Sequence, residues 1–505
     1  MITIAITGAS GNMGIEAVNE LLKLGNNYRL KLLVYKDRSA RRLIKRVKNC
    51  NNVSIIYGDV RNYEDCKNLV THSDYVIHMA AIIPPKSDED RNLTFEVNYG
   101  GTVNMVNAIS ECQKLENNVK KFVHVSSVAI YGNRDFSHPY GRVGDPVMPS
   151  IFDYYASSKA LAERAVIDSG LPKWVVLRQT GILHDRLFFD NVKNGITFHT
   201  PWDCPIEWVT ASDSGLMIAN LIKKDTHCEI NDFWRRIFNV GGGENCREIG
   251  YDVFRHGFGL MGGKVEDYFL PYWNNDKNFH CFWFLDSQEL NQKLDFWRTS
   301  CDDFWSDFGK KYPLFRLAKI LPKSIIKNLI LRPLSLTKNA PYRWLKDNNE
   351  ARIKAFFYDV DSQKEKSWDA ILAHIHNADF VKNTAKNNLL SHGFDSTKSD
   401  DDITIEDCIS VANFRGGKVI SPSLGDDIYT PIEWECHDGH RFKASPFLIL
   451  RGGYWCSECC MPTRIWNYDN LSKKIPYYSQ VWLDTHNASD NYVYYHDEKE
   501  MVRRA

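Results

Sequence analysis

The sequence predicts a doubly wound α/β fold, an open and mostly parallel sheet covered by helices on both faces. Three observations carry this expectation. Apolar runs rich in Val, Ile and Leu alternate with helix-period segments through the first third of the chain. Those runs are near-continuous rather than alternating, as strands buried on both faces must be. The first of them breaks into three spaced glycines just before a helix.

That first run starts at Ile2 and ends in Gly8, Gly11 and Gly14, after which Ile15–Leu24 is amphipathic. Strand, glycine turn and helix bring backbone amides and a positive helix end to a pyrophosphate, so Gly8, Ser10, Gly11, Asn12, Met13 and Gly14 are candidate dinucleotide ligands. Further strands are expected at Leu30–Tyr35, Val53–Tyr57, Tyr75–Met79, Lys121–Ser126 and Trp174–Leu177. Helices are expected at Ala40–Lys48, Tyr63–Val70, Asn92–Gln113 and Tyr155–Asp168. Ligands of such sheets bind beyond the carboxyl ends of the strands, and the candidate residues fall there.

Bulk composition bounds the reading. At 505 residues the chain exceeds one ordinary core, and 43% apolar with 25% charged residues is a soluble globular balance. A formal net charge of zero removes any global electrostatic case for nucleic acid. No basic, cleavable leader and no membrane-spanning apolar run are evident, so a cytoplasmic protein is expected. Most of the 13 cysteines are scattered singly, as free thiols of a reducing compartment are.

The second strand ends in Tyr35-Lys36-Asp37-Arg38. Lys36 and Arg38 suit a 2′-phosphate and favour NADP, whereas Asp37 in their place would hold a ribose and read as NAD. Asp59 and Val60 follow the third strand, and Ala80 and Ala81 the fourth, where small residues let the backbone pass a cofactor. The bland readings are Asp59 as a helix cap and His78 as a satisfied buried histidine. The fifth strand ends in Ser126-Ser127, and Tyr155-Ala156-Ser157-Ser158-Lys159 opens a helix. Spacing of i, i+4 sets the phenol and the ammonium on one face. A phenol ordinarily titrates at about 10, and a neighbouring cation favours its phenolate.

Together with Gly58-Asp59-Val60, His78-Met79-Ala80-Ala81 and Asn98-Tyr99-Gly100-Gly101-Thr102, these motifs make residues 1–300 resemble the extended short-chain dehydrogenase/reductases, the NAD-dependent epimerase/dehydratase group. The resemblance implies a Rossmann-type core over about 1–180 with a smaller substrate lobe. It also implies Tyr155 as general acid/base, Ser127 orienting the substrate oxygen, Lys159 tuning the tyrosine and holding ribose, and Asn98 as active-site asparagine. By the same resemblance Asp59 and Val60 contact adenine, and a homodimer is expected.

Two departures bear on the reaction. Val128-Ala129 stand where dehydratases carry an acidic pair, which argues against dehydration, and Val128–Gly132 is nearer the epimerase pattern. The later family stretch is degraded to Arg178–Leu183, which weakens the case for a nucleotide sugar. The expected substrate segment Leu183–Trp208 carries Phe188, Phe189, Phe198, Trp202 and Trp208, which suit a sugar face, an apolar carbonyl compound or plain core. Phe238–Gly243 reads as a strand and turn of the substrate lobe.

Beyond residue 300 a helical basic region (301–390) is expected, with ten Lys/Arg and no acid between 308 and 346. Arg316, Lys319, Lys323 and Lys327 share a stripe, while Leu314, Leu317, Leu321 and Ile325 lie elsewhere on the helix. A docked helix with a solvated basic face is favoured over membrane-surface contact through 312–331. Residues 391–405 read as a linker, 406–463 as a small module and 464–505 as a tail. In the module Cys436, His440, Cys456 and Cys459 have the spacing of tetrahedral zinc, with Cys460 as spare thiol or competing ligand. The stretch resembles a zinc-ribbon or treble-clef module, structural because it leaves no open coordination position.

The sequence therefore predicts an NAD(P)-dependent oxidoreductase or epimerase acting on a carbonyl compound or a nucleotide sugar. The rival of another class is an NADP(H)-sensing scaffold whose zinc module engages a partner.

Overall fold

The computed structural model describes residues 1–38, 40–187, 195–359, 363, 365–461, 465–495 and 503–504. Its centre is a seven-stranded parallel sheet of β1 (Ile2–Thr7), β2 (Tyr28–Val34), β3 (Val53–Tyr57), β4 (Tyr75–His78), β5 (Lys121–Ser127), β6 (Trp174–Gln179) and β7 (Arg236–Val240). The strands run in the order β7-β6-β5-β4-β1-β2-β3. Ile4 pairs with Leu30 on one side and Tyr75 on the other, so chain order reverses between β1 and β4, and a crevice opens there.

Helices α1 (Asn12–Lys23), α2 (Ala40–Val47), α3 (Tyr63–Val70), α4 (Gly101–Glu116), α5 (Tyr154–Ile167) and α6 (Ala211–Thr226) flank the sheet. The outward-facing Val, Ile and Leu of one sheet face join α1 and α6 in one core; those of the other join α3, α4 and α5 in a second. This is the doubly wound Rossmann-type arrangement read from the alternating runs.

Two elements differ from expectation. The helix expected over Asn92–Gln113 is broken: Arg91–Phe95 passes through one π turn, Glu96–Gly100, before α4 begins. The π turn leaves Asn98 fully buried, and its amide spans two neighbouring segments. The strand at Phe238 belongs to the main sheet, as edge strand β7 paired with β6, and not to the substrate lobe.

The C-terminal chain closes over this frame. Three short strands, β8 (Lys418–Val419), β9 (Ile432–Glu435) and β10 (Arg441–Ala444), form an antiparallel sheet. Trp434, Leu448, Tyr454 and Trp455 are buried in the same core as Trp174 and Ala160. Residues 391–405 are pinned rather than loose: His392 is buried against Asp145 at 2.9 Å, and Arg451 binds Asp400 at 2.9 Å. Helix α5 explains the closure. Ten of its residues are buried, among them Ala156, Ala160, Ala162 and Glu163, so it has no solvent stripe. A helix buried all round needs cover on both sides. The sheet supplies one side and residues 452–455 the other.

Candidate functional site

At the chain reversal a cleft of about 620 Å³ is lined by Gly8, Ser10, Gly11, Asp59, Val60, Ala80 and Ala81, together with Thr7, Tyr35, Asp37, Arg61 and Ile82. Gly8 has φ +72°, and a Cβ there would stand 2.6 Å from the Ala80 amide nitrogen, so glycine alone lets the turn lie against the chain after β4. Helix α1 begins at this turn with Gly11 as N-cap and no acid in its first turn, leaving its positive end for an anion.

Other expected cofactor residues stand differently. Met13 is buried in the core and Gly14 packs against the Gly8 carbonyl, so neither side of the turn offers them as cleft lining beyond their backbone. Asn12 Nδ2 meets His184 Nε2 at 3.1 Å. Lys36 turns outward over the Tyr57 ring at 5.2 Å, and Arg38 is exposed, whereas Asp37 lines the cleft. The chain turns just after β2, the Asp37 amide donating to the Tyr35 carbonyl at 2.9 Å. Burial opposes ionisation of Asp59, but Arg61, 2.7 Å away, holds its carboxyl below the usual range. His78 is a satisfied buried histidine, bonded to Thr7 Oγ1 at 2.7 Å and Thr102 Oγ1 at 3.0 Å, and burial lowers it to about 3.

Ser127, at the end of β5, stands beside Tyr155, at the start of α5, and its hydroxyl favours the phenolate. The Ser127 hydroxyl also accepts from Ala129 N at 3.1 Å, which fixes its rotamer. Asp153 caps α5 through Ala156 N at 2.8 Å and sets where Tyr155 enters the helix. One turn on, the Lys159 ammonium donates to the Val125 carbonyl at 2.7 Å. Burial pushes the Tyr155 phenol up to about 12 while Ser127 pulls it down. Burial lowers Lys159 to about 8, and Glu163 opposes that shift. The depression of Tyr155 expected from Lys159 is not found: burial raises the phenol, Asp153 adds to the rise and Ser127 opposes it, while the Lys159 ammonium is engaged by the Val125 carbonyl.

Asn98 does not join this pair. Its Oδ1 accepts from Ile82 N at 2.7 Å, and its Nδ2 donates to Ile82 O and to Ser158 Oγ, both at 2.9 Å. With both of its N–H donors used, it clamps the cleft wall to α5.

Beneath the pair lies a network that the sequence left unread. Arg178 and Glu163, both fully buried, meet at 2.5 Å. Arg178 also donates to the Tyr131 hydroxyl at 2.5 Å and to the Gly452 carbonyl at 2.6 Å. Tyr131 in turn donates to Asn239 at 2.9 Å. An arginine ending a buried strand and a glutamate inside a small-residue helix were the available signals.

In the C-terminal segment Cys436, His440, Cys456 and Cys459 bring their donor atoms within 4.8 Å of one another. His440 Nδ1 is 3.4 Å from Cys436 Sγ and 3.8 Å from Cys456 Sγ, and Cys459 Sγ is 3.8 Å from Cys436 Sγ. Zinc–sulfur bonds of about 2.3 Å in a tetrahedron give sulfur–sulfur edges of about 3.8 Å, so the donor set fits that ion. Cys460 stands outside the set, 3.7 Å from Cys459.

Of the expected substrate segment, Phe188 and Phe189 lie outside the described residues. Phe198 and Trp202 are core residues packed on Phe269 and Trp273. Trp208 covers Gly181.

Sequence comparison agrees with this geometry over the N-terminal part. The sequence model of the 3-beta hydroxysteroid dehydrogenase/isomerase family matches residues 5–172. A 3-beta-hydroxysteroid dehydrogenase of Mycolicibacterium neoaurum is 28% identical over 173 residues, which are 32% of this chain and 42% of that protein. The human sterol-4-alpha-carboxylate 3-dehydrogenase (decarboxylating) is 30% identical over 122 residues, 24% of this chain and 30% of that one. The chain thus spans under half the length of the curated relatives it matches. Among solved structures, a dTDP-glucose 4,6-dehydratase of Streptomyces venezuelae overlays with a TM-score of 0.49 at 19% identity, covering 62% of this chain and 97% of that one. The UDP-glucose 4-epimerase of Bifidobacterium longum overlays with a TM-score of 0.47 at 18% identity, covering 62% and 99%. Residues 5–172, with their glycine turn and Ser127–Tyr155–Lys159 set, are thus similar to the extended short-chain dehydrogenase/reductases.

Proposed function

We propose that the protein is an NAD(P)-dependent oxidoreductase that interconverts a carbonyl and a hydroxyl group on a small molecule. The observation that carries this reading is the neighbouring Ser127 and Tyr155 standing with Lys159 at the carboxyl edge of the sheet that bears the dinucleotide cleft. Tyr155 gives its proton to the substrate oxygen in reduction and takes it back in oxidation. Ser127 holds that oxygen in line with the phenol, and Lys159 supplies positive charge from the same helix face. Bound nicotinamide supplies or accepts the hydride at the substrate carbon and, when oxidised, adds positive charge near the phenol. Gly8, Ser10 and Gly11 would receive the pyrophosphate, and Asp59 and Val60 the adenine end.

Asp37, as the cleft-lining residue after β2, supports NAD; exposed Lys36 and Arg38 support NADP. The curated relatives are named for 3-hydroxysteroid and sterol chemistry, so an apolar ring alcohol is the first substrate class to test. A nucleotide-sugar epimerase is the second reading, favoured by Val128–Gly132. There Tyr155 would take the proton from a hydroxyl and return it to the same oxygen after the carbon has turned its other face. A cofactor-sensing scaffold has no use for an acid–base tyrosine.

Zinc held by Cys436, His440, Cys456 and Cys459 would be structural, because four protein donors fill a tetrahedron. A homodimer would have to form away from the α5 face that Tyr454 and Trp455 cover. Among the described residues no helix is long and apolar enough to cross a membrane.

The decisive experiment is titration of the purified protein with NADH and with NADPH, read by quenching of its 14 tryptophans, followed by turnover assays on steroid alcohols and UDP-sugars. Binding of neither nucleotide would sink the reading.

A further inference from the structure

The segment between Leu314 and Leu336 is built as short turns: Leu314–Leu317, then Lys323–Ile326 running through the π turn Lys327–Leu331 into Arg332–Leu334. Its inner side is accounted for. Ile326, Leu331 and Leu334 are buried against Phe269 and Trp273, and Lys323 is tied to Asp267 at 2.6 Å.

Its outer side is not that of a docked helix. An amphipathic element that has buried one apolar face presents polar residues to water. Here Leu314, Ile320 and Leu329 are 75%, 80% and 73% exposed, and Leu321, Ile325, Ile330 and Leu336 are exposed as well. The segment is docked and its basic residues are solvated, but Leu314, Leu321 and Ile325 are solvated with them. The side chains of Arg316 and Leu317 lie outside the described residues.

Charge selects the occupant of this apolar surface. Residues 308–346 hold ten Lys/Arg and no acid. Lys319, Arg332 and Lys338 are exposed and take no ion pair among the described residues. A second copy docking symmetrically would set the same positive patch against itself, at a like-charge cost. An anionic, apolar-backed surface meets both demands: it neutralises the cations and buries the leucines and isoleucines to the depth of a headgroup layer.

We propose that residues 314–336 form a docking face for the anionic surface of a lipid bilayer, with the exposed Leu and Ile inserted and Lys319, Arg332 and Lys338 over the headgroups. The face stands on the lobe that carries Phe198 and Trp202, and the proposal does not rest on the reading of the catalytic pair.

The test uses the full chain and co-sedimentation with phosphatidylcholine vesicles, with and without phosphatidylserine. Binding is expected only with phosphatidylserine and weakened by added salt. Ile320→Asp with Leu329→Asp should abolish it, and Lys319→Glu with Arg332→Glu should weaken it by at least about tenfold. All these substitutions are at exposed positions, and unchanged thermal melts would show the variants folded. No binding to either vesicle overturns the proposal. So does binding that neither pair of substitutions alters, or a concentration-dependent dimer that Leu329→Asp dissolves without any vesicle binding.

Discussion

Arg178 and Glu163 form a fully buried ion pair at 2.5 Å that joins β6 to helix α5, which carries Tyr155, and Arg178 reaches on to the Gly452 carbonyl at 2.6 Å. The pair thus stitches the tyrosine-bearing helix to the cysteine-rich segment. Removing one partner leaves a charge uncompensated in the core. Arg178→Met or Glu163→Leu alone should each cost about 3–5 kcal/mol in urea unfolding. The double variant should recover most of that loss, since the interior then holds no unpaired charge. Additive costs in the double variant would show that the two side chains do not act as a pair.

Tyr155→Phe should lower turnover by about 10²–10⁴-fold while leaving nucleotide affinity unchanged. The phenol hydroxyl is the proton carrier, and the ring keeps its place in α5. Fluorescence titration beside steady-state kinetics separates the two effects. A variant with undiminished activity would favour the sensing scaffold.

Burial lowers Lys159 from an ordinary 10.5 to about 8. Between those values the unfolded chain binds the proton that the folded one has released, so stability from this group rises with pH across that window. Lys31 and Lys277 are lowered to about 8 in the same way. The contribution of Lys159 is therefore the difference between wild type and Lys159→Met. Denaturant midpoints at pH 8 and above should rise less steeply in the variant, and parallel curves would contradict burial of the ammonium.

Asp37 and Lys36 make opposite predictions about the cofactor. Asp37→Asn should weaken NADH by about tenfold with little effect on NADPH, because it removes a charge-assisted acceptor from ribose. Lys36→Ala should weaken NADPH alone if its ammonium swings from Tyr57 to a 2′-phosphate. Paired titrations of both variants decide which residue selects.

The purified chain should carry one zinc per molecule by elemental mass spectrometry. Chelation, or Cys456→Ser, should lower stability by several kcal/mol, because metal free energy in such sites is folding free energy. Loss of the metal should also disturb residues 452–455, whose carbonyls receive Arg178 and Arg164. A melt indifferent to chelation would refute a structural ion.

Much of the N-terminal half was legible because its signals are local. β-Branched runs, the Gly8 turn and the i, i+4 pair Tyr155/Lys159 each state their own conformation within a few residues. The clustering of Cys436, His440, Cys456 and Cys459 was legible for the same reason, as two short pairs of fixed spacing. Asn98 was legible as an important position but not as a clamp, since its partners Ile82 and Ser158 are 16 and 60 residues distant.

The sequence by itself determined the doubly wound sheet and its glycine turn, and it singled out the candidate acid–base residues and the Cys/His set that the fold brings together. Tertiary structure decided where Asp37 and Lys36 point, that Phe238 sits in the main sheet, and that the cysteine-rich segment covers α5. It also decided which face of residues 314–336 meets solvent. The physical reason is common to all four. Periodicity marks a side chain as apolar or charged, but whether it is buried depends on which distant segment comes to lie against it.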